Sequence, residues 1–265
     1  PLQAAPIESP RNVHSLNEGW RFHLGAVPGA TAPDFNDSAW RSVDVPHDYV
    51  VEGKFVPEDP TANKGGRPDW FWLHGFLPVQ PAVYRKELAI PASAKGKTLW
   101  LEFDGVCNNS RYWLNGKEVY SQYSGYTRAR FDITKAADFG GKNTLVVELD
   151  PRYEGWWYEG GGIYRHARMV TLDPVHIASD GVFVMPHVEN PGDGAKADAN
   201  IKIHTDLANT GDAPAEATIV SEILDATGKV IATASAAQSL AAGAEAKISQ
   251  SIPLPAATLW SVKNP

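Results

Sequence analysis

Residues 110–120 read SRYWLNGKEVY, a pattern that predicts a β-hairpin. Asn115 and Gly116 stand at its centre, and both residue types tolerate the positive φ that a two-residue hairpin turn requires. Just upstream, residues 98–103 (TLWLEF) alternate in the way that a half-buried strand does. This region is therefore predicted to be antiparallel β structure.

Short apolar stretches separated by turn residues recur through the first part of the chain. They predict strands over 83–90, 129–133, 144–149 and 163–172, with shorter β segments within 16–50. No long amphipathic helix pattern appears among these residues. The first part is therefore predicted to fold as an antiparallel β-sandwich.

The composition changes near residues 173–174, because eight of the nine tryptophans precede residue 158. The later residues predict five short strands, over 181–185, 199–207, 217–224, 230–236 and 246–254. They suit a small immunoglobulin-like sandwich that lacks the Cys…Trp…Cys pattern of true immunoglobulin domains. The predicted organisation is a tail over 1–12, a sandwich over 13–174 and a smaller sandwich over 175–265.

Charge and composition exclude several classes of partner. The 265 residues carry a net charge of −7 without a Lys/Arg cluster, which argues against nucleic acid and anionic membrane surfaces. No apolar run reaches the roughly 18 residues that a membrane helix needs. The start of the chain, PLQAAPIESPR, fits an exported protein, periplasmic or extracellular, although a cytoplasmic location stays open.

Cysteine and histidine usage predicts neither a disulfide nor a metal site. Cys107 is the only cysteine, and a buried structural thiol is expected there. The eight histidines are scattered singly, without metal-ligand spacing. No P-loop or dinucleotide fingerprint is present, so no cofactor is predicted.

Residues 154–170, EGWWYEGGGIYRHARMV, are the densest concentration of unusual sequence. Three consecutive glycines allow a positive φ or a close approach of the backbone, which indicates a structural corner or the lip of a binding site. Indole rings stack well on the C–H faces of sugars, so the tryptophans in loop-like stretches are candidates for a carbohydrate site or for core packing. The candidates are Trp70, Trp72, Trp156 and Trp157, together with Tyr158, and Glu154 is a candidate hydrogen-bonding partner.

The chain contains, in this order, the motifs LNEGWRF, DFNDSAWRSVDVPHDY, YRKELAIPASAKGKTLWLEFDGVCNNSRYWLNGKEV, SGYTRARFDIT, GKNTLVVELD and WYEGGGIYRH. This series of motifs closely resembles glycoside hydrolase family 2, which includes β-galactosidases, β-glucuronidases and β-mannosidases. The resemblance covers about residues 14–172, and residues 175–265 resemble the family's immunoglobulin-like domain more weakly. It implies an all-β chain in which a jelly-roll-like, galactose-binding-like sandwich precedes the immunoglobulin-like one.

The resemblance also implies what this chain does not carry. In such enzymes the acid/base and nucleophile glutamates lie on a (β/α)₈ barrel, and neither the barrel pattern nor the Asn-Glu motif occurs here. No catalytic residue is therefore predicted, and the chain alone should be inactive. The loop that holds Glu154 and Trp156 is expected to contact the terminal sugar.

Three hypotheses follow for the function. The first is the non-catalytic N-terminal portion of an exo-β-glycosidase, most like a β-galactosidase, which shapes the substrate pocket and supports the barrel. The second is a stand-alone carbohydrate-binding module. The third is a structural or assembly sandwich without sugar binding, and a homo-oligomer stays open in each case.

Overall fold

The computed structural model describes residues 9–55, 77, 79–153, 158–189 and 195–262. These residues divide into two compact units, one over Arg11–Thr171 and the other over 172–262 together with Ser9 and Pro10. The described residues contain no α-helix, and two short 3-10 helices lie at Ala92–Ala94 and Pro151–Tyr153. No helix among them is long and apolar enough to span a membrane. The prediction of an all-β fold is confirmed.

The first unit contains two β-sheets. The six-stranded sheet has the order β3-β2-β4-β9-β6-β7 and the four-stranded sheet has the order β1-β10-β5-β8. The strands are β1 Arg11–Ser15, β2 Trp20–Leu24, β3 Arg41–Val43, β4 Ala82–Ala89, β5 Thr98–Phe103, β6 Ser110–Leu114, β7 Lys117–Gln122, β8 Ala129–Asp132, β9 Lys142–Leu149 and β10 Ala167–Leu172. β1 begins inside the tail predicted over 1–12.

The core of the first unit is built from the inward positions of these strands. Trp20 is fully buried, with its ring 6.2 Å from that of Tyr84 and 6.3 Å from that of Phe103 between centroids. Its indole N–H donates to the carbonyl of Leu16 at 2.7 Å, so the polar edge of the ring is satisfied inside the core.

A second, smaller apolar cluster lies outside that core. Val83 and Val146, from the neighbouring strands β4 and β9, pack there with Ala30. The loop between β2 and β3 therefore covers part of the six-stranded sheet.

Arg85 on β4 holds this loop in place. Its guanidinium forms an ion pair with Asp37 at 2.9 Å, and it donates to the carbonyls of Ala30, Ala32 and Phe35. The Arg85 side chain is only 2% exposed. Hydrogen bonds from one buried guanidinium, in place of pairing between strands, therefore hold this irregular loop against the sheet.

The hairpin predicted from Asn115 and Gly116 is confirmed. β6 and β7 pair antiparallel across the two residues, whose φ values are +52° and +78°. The strand predicted over 163–172 begins only at Ala167, because the backbone groups of Ile163 and His166 bond to His47 and Asp104. The other predicted strands of this part exist with small shifts of their bounds.

The second unit is a smaller sandwich of five strands. They are β11 Val175–Val188, β12 Lys196–Asn209, β13 Ala215–Leu224, β14 Val230–Leu240 and β15 Glu245–Thr258. β11, β12 and β15 form one sheet, and β13 pairs with β14. The core is compact, with Leu207, Ile219, Leu240 and Ile248 at its centre. All five predicted strands of this part exist and are longer than predicted.

Candidate functional site

The glycine-rich segment closes one end of the first unit. The N–H of His47 donates to the carbonyl of Ile163 at 2.8 Å, and that of Tyr49 to the carbonyl of Gly161 at 3.0 Å. On its other side Gly162 exchanges two backbone hydrogen bonds with Cys107, at 2.9 and 3.0 Å. The segment therefore runs between two others, which agrees with the first of the two alternatives, a structural corner.

The tight packing explains why glycine is needed at the centre of the segment. Gly162 has a φ of +136°, and a Cβ atom there would meet the carbonyl oxygen of His47 and lie 2.7 Å from the Tyr84 hydroxyl. A Cβ on Gly161 would lie 2.8 Å from a methyl group of Val50. A side chain is excluded at Gly162 by backbone conformation and by space, and at Gly161 by space.

The carboxylate of Asp48 is the most organised polar group at this corner. Its Oδ1 accepts the N–H groups of Gly161 and Val50, each at 3.0 Å, and its Oδ2 accepts the hydroxyl of Tyr158 at 2.7 Å. Burial, together with the hydrogen bond and charge of Asp48, raises the pKa of Tyr158, so this hydroxyl stays protonated and donates. We name Asp48, Tyr158 and Gly161 the Asp48 cluster.

The Asp48 cluster can accept a ligand hydroxyl. A carboxylate offers about four lone-pair positions, of which hydrogen bonds from the described residues use three, and Asp48 is half-buried and not sealed. The side chain of Tyr158 remains 40% exposed, so one ring is available for contact beside the carboxylate. A fixed acceptor next to an aromatic ring is suited to a polyol with apolar C–H faces.

A buried histidine, His47, lies next to this corner. His47 is 8% exposed, with its Nδ1 2.7 Å from the Tyr84 hydroxyl and its Nε2 2.7 Å from the guanidinium of Arg41. Because a guanidinium only donates, Nε2 accepts this bond, and the ring proton is on Nδ1 facing Tyr84. Arg41 in turn forms an ion pair with Glu52 at 2.7 Å.

The environment of His47 favours the neutral ring. Burial lowers the pKa of His47 from its ordinary value of 6.5, and the charge of Arg41 lowers it further against the opposing effects of Glu52 and Asp48. A neutral His47 keeps Nε2 able to accept from Arg41.

We predict a pH dependence of stability that is traceable to His47. Well above pH 6.5 the ring is neutral in both folded and unfolded chains, and its contribution to stability is complete. As the pH falls below that value, the unfolded chain binds the proton first, so the free energy of unfolding decreases until the pH passes the lowered pKa of the folded state. Urea unfolding between about pH 5 and about pH 7.5 measures this slope.

The matched variants are His47→Gln and His14→Gln. His14 is exposed on β1, so its removal should leave the slope unchanged, whereas His47→Gln should flatten it. An unchanged slope in His47→Gln would contradict the assignment.

Apart from Tyr158, the site residues predicted from sequence lie outside the described residues. They are Glu154, Trp156, Trp157, Trp70 and Trp72, and they stay predictions. Cys107 is buried, as expected. No group of three or more potential metal ligands occurs in the described part of the chain.

Sequence reasoning missed Asp48 and His47 as members of the corner. Tyr158 stands 110 residues from Asp48, so no local spacing connects the two. The one sequence signal for these two residues was VPHDY at 45–49, in which the polar pair His47 and Asp48 interrupts an otherwise apolar stretch.

Comparison with known proteins identifies the family. A model described as "Glycosyl hydrolase 2 galactose-binding domain-like" matches residues 74–157, and one described as "Glycosyl hydrolases family 2" matches residues 175–265. The chain belongs to glycoside hydrolase family 2. Together the two matches cover more than half of this family 2 chain.

Individual relatives extend the likeness to almost the whole family 2 chain. This chain is 30% identical to the β-galactosidase BoGH2A of Bacteroides ovatus, and the match covers 99% of the chain. It is 32% identical to a β-glucuronidase of Bacteroides fragilis, and that match covers 96% of the chain. It spans only 29% and 33% of the length of these two relatives.

Solved structures show the same fold. A family 2 member from Bacteroides cellulosilyticus superposes with a TM-score of 0.80 at 27% identity, over 95% of this chain and 32% of that one. A β-glycosidase from Bacteroides vulgatus gives 0.79 at 28% identity, over 96% and 30%.

Proposed function

We propose that this chain is the N-terminal portion of an exo-β-glycosidase, most like a β-galactosidase, and that its first unit forms one wall of the substrate pocket. The Asp48 cluster is the observation that carries the proposal. Its carboxylate is fixed by two backbone N–H groups and a tyrosine, and the described residues leave one acceptor position for a sugar hydroxyl.

Two further points support a sugar as the ligand. The predicted stacking residues Trp156 and Trp157 come directly before Tyr158 in the sequence. Relatives across the length of this chain are named β-galactosidase and β-glucuronidase.

We propose that the carboxyl groups that cleave the glycosidic bond lie outside these residues. Retaining and inverting glycosidases both need two facing carboxyl groups that flank the scissile bond. The described residues form two β-sandwiches without an α-helix, so they contain no (β/α)₈ barrel. In this proposal the chain positions the terminal sugar and supports a catalytic domain that supplies the carboxyl pair.

Sugar binding by the chain tests this role. Titration of the ¹⁵N-labelled chain with methyl β-galactoside or methyl β-glucuronide should shift the amide signals of Gly161 and Val50, with a weak affinity in the millimolar range. Asp48→Asn should weaken binding about tenfold, because a charge-assisted acceptor is lost. Amide signals of the corner that do not move with either sugar would contradict the proposal.

Asp44→Asn is the matched control. Asp44 also lies in a loop of the first unit and accepts a backbone N–H, that of Gly19 at 2.8 Å, so its substitution removes a similar carboxylate away from the Asp48 cluster. Sugar affinity should not change in this variant. Release of nitrophenol from nitrophenyl β-galactoside by the chain alone would also overturn the non-catalytic assignment.

The same titration distinguishes the alternative of a stand-alone carbohydrate-binding module. Such a module would hold its ligand without a second wall, with an affinity better than millimolar. The half-buried Asp48 carboxylate beside an exposed Tyr158 ring is the observation that favours this second candidate.

A further inference from the structure

A cleft of about 320 Å³ lies on the six-stranded sheet of the first unit. Strands β2, β4 and β9 form its floor, and the loop between β2 and β3 forms one wall through Pro33, Phe35 and Asp37. None of its lining residues belongs to the Asp48 cluster. We name it the Arg21 cleft, after a residue of its floor. A space of this size suits a small ligand.

Two arginines lie directly opposite each other on the floor of this cleft. Phe22 and Tyr84 belong to the core of the first unit. Their neighbours Arg21 and Arg85 therefore point to the other face of the sheet, where they pair across β2 and β4. Such a pair has Cβ atoms about 4.5–5.5 Å apart, and like charges there repel. Asp37 neutralises Arg85 through an ion pair at 2.9 Å.

The two lysines that line the cleft also have carboxylates near them. Lys142 forms an ion pair with Glu87 at 3.0 Å. The ammonium of Lys86 lies 3.8 Å from a Cβ built on Gly19, whose N–H donates to the carboxylate of Asp44 at 2.8 Å. Negative charge is therefore already present at both of these positions in the cleft.

The guanidinium of Arg21 is the cation of this cleft that lacks a counterion. Arg21 is exposed, and its side chain has no hydrogen-bond or ion-pair partner among the residues that the structure describes. A guanidinium presents its N–H groups in a planar fork that matches the oxygens of a carboxylate or a sulfate. An anion bound there would also reduce the repulsion between Arg21 and Arg85.

We propose that the Arg21 cleft binds an oxyanion group, a carboxylate or a sulfate, at a site separate from the Asp48 cluster. The guanidinium of Arg21 donates two N–H groups to the anion, and the neighbouring charge of Arg85 adds to the attraction. The exposed Pro33 and the half-exposed Phe35 form an apolar border beside it. The oxyanion can therefore be a free ion or a substituent of a sugar ring whose C–H face lies on this border.

The test titrates the ¹⁵N-labelled chain with sodium sulfate, which replaces sodium chloride at constant ionic strength so that general screening does not change. The amide signals of Gly19 and Arg21 should shift and reach saturation, with a Kd of about 1–10 mM. Shifts that do not saturate, or that are equally large throughout the chain, would overturn the proposal.

Acetate, glucuronate and methyl β-galactoside distinguish the source of the oxyanion. Both acids should move the signals of Gly19 and Arg21. Binding of glucuronate about threefold or more tightly than acetate would assign the site to acidic sugars, and equal affinity would assign it to the free ion. The neutral methyl β-galactoside should leave these signals in place, whatever it does to Gly161 in the Asp48 cluster. Shifts with the neutral sugar as large as those with glucuronate would overturn the anion site.

Arg21→Gln removes the proposed contact. It should weaken the binding of sulfate and glucuronate about tenfold, because the charge-assisted hydrogen bonds are lost. Arg111→Gln is the matched control, since Arg111 is also an exposed arginine of the six-stranded sheet but does not line the cleft. Unchanged affinity in Arg21→Gln, or an equal loss in both variants, would contradict the assignment.

Glu87→Gln should change the affinity in the opposite direction. Glu87 lines the cleft and neutralises Lys142, and both side chains are exposed, so the substitution removes a negative charge without disturbing the core. Sulfate should then bind about two- to threefold more tightly, because Lys142 is no longer paired. A gain in affinity cannot result from partial unfolding. Unchanged or weaker binding would show that the charges of this cleft do not attract the anion.

Discussion

Replacement of Gly162 by alanine is expected to lower the free energy of unfolding of the first unit by about 3 kcal/mol or more. At its φ of +136° an L-residue is strained, and the new methyl group would meet the His47 carbonyl and lie 2.7 Å from the Tyr84 hydroxyl. Neither neighbour can withdraw, because the His47 backbone is bonded to Ile163 and Tyr84 is fully buried. Urea unfolding followed by near-UV circular dichroism measures the change.

Gly96→Ala is the matched control for this strain. Gly96 lies in the same unit and also has a positive φ, +87°, but no atom lies within 4 Å of a Cβ built there. Only the backbone strain should then remain, about 1–2 kcal/mol. Equal losses in the two variants would show that the crowding at Gly162 does not matter and would contradict this account of the corner.

Replacement of Arg85 by alanine is expected to destabilise the first unit by about 3 kcal/mol. The substitution leaves the Asp37 carboxylate without its ion pair and three loop carbonyls without their donor. It also opens a space beneath the loop between β2 and β3. Thermal unfolding measures the stability, and amide exchange should show early opening of residues 27–40.

Arg111→Ala provides the comparison on the same sheet. Arg111 on β6 also forms an ion pair, with Glu118, but its side chain is 51% exposed. Exposed pairs contribute about 0–1 kcal/mol because water solvates both partners. A loss in Arg85→Ala as small as that in Arg111→Ala would show that the loop does not depend on the guanidinium.

Local signals predicted the strands of the first unit well. The Asn115–Gly116 turn and the alternation of residues 98–103 are properties of adjacent residues, and both were found at the predicted positions. The start of β10 was predicted too early because residues 163–166 have strand-like composition. Backbone groups in this stretch bond to segments more than fifty residues away. The alternation of apolar and polar residues in a sequence carries no information about such distant partners.

The polar groups of the candidate site were harder still to predict from sequence, because their partners lie far away along the chain. Arg85 occupies an ordinary alternating position in VYRKELAI, yet its acceptors are carbonyls 50–55 residues earlier in the chain. Asp48 is unremarkable in sequence, and nothing local connects it with Tyr158 of the aromatic stretch; the two form a cluster only in the fold, where Asp48 also accepts from the glycine segment. The glycine run itself was recognisable, since three adjacent glycines indicate close backbone contact.

The pairing of β1 with β10 has a consequence for the order in which the chain folds on the ribosome. Leu16 and Asn17 bond to Ala167, about 150 residues later, and the corner joins residues 47–49 to 161–163. Hairpins such as β6–β7 can form as soon as they emerge, but the first unit cannot close until residue 172 has left the exit tunnel. At about 5–20 residues per second, the intervening 150 residues or so take roughly 7–30 seconds to synthesise, and during this time chaperones can bind the open sheet edges of the nascent chain.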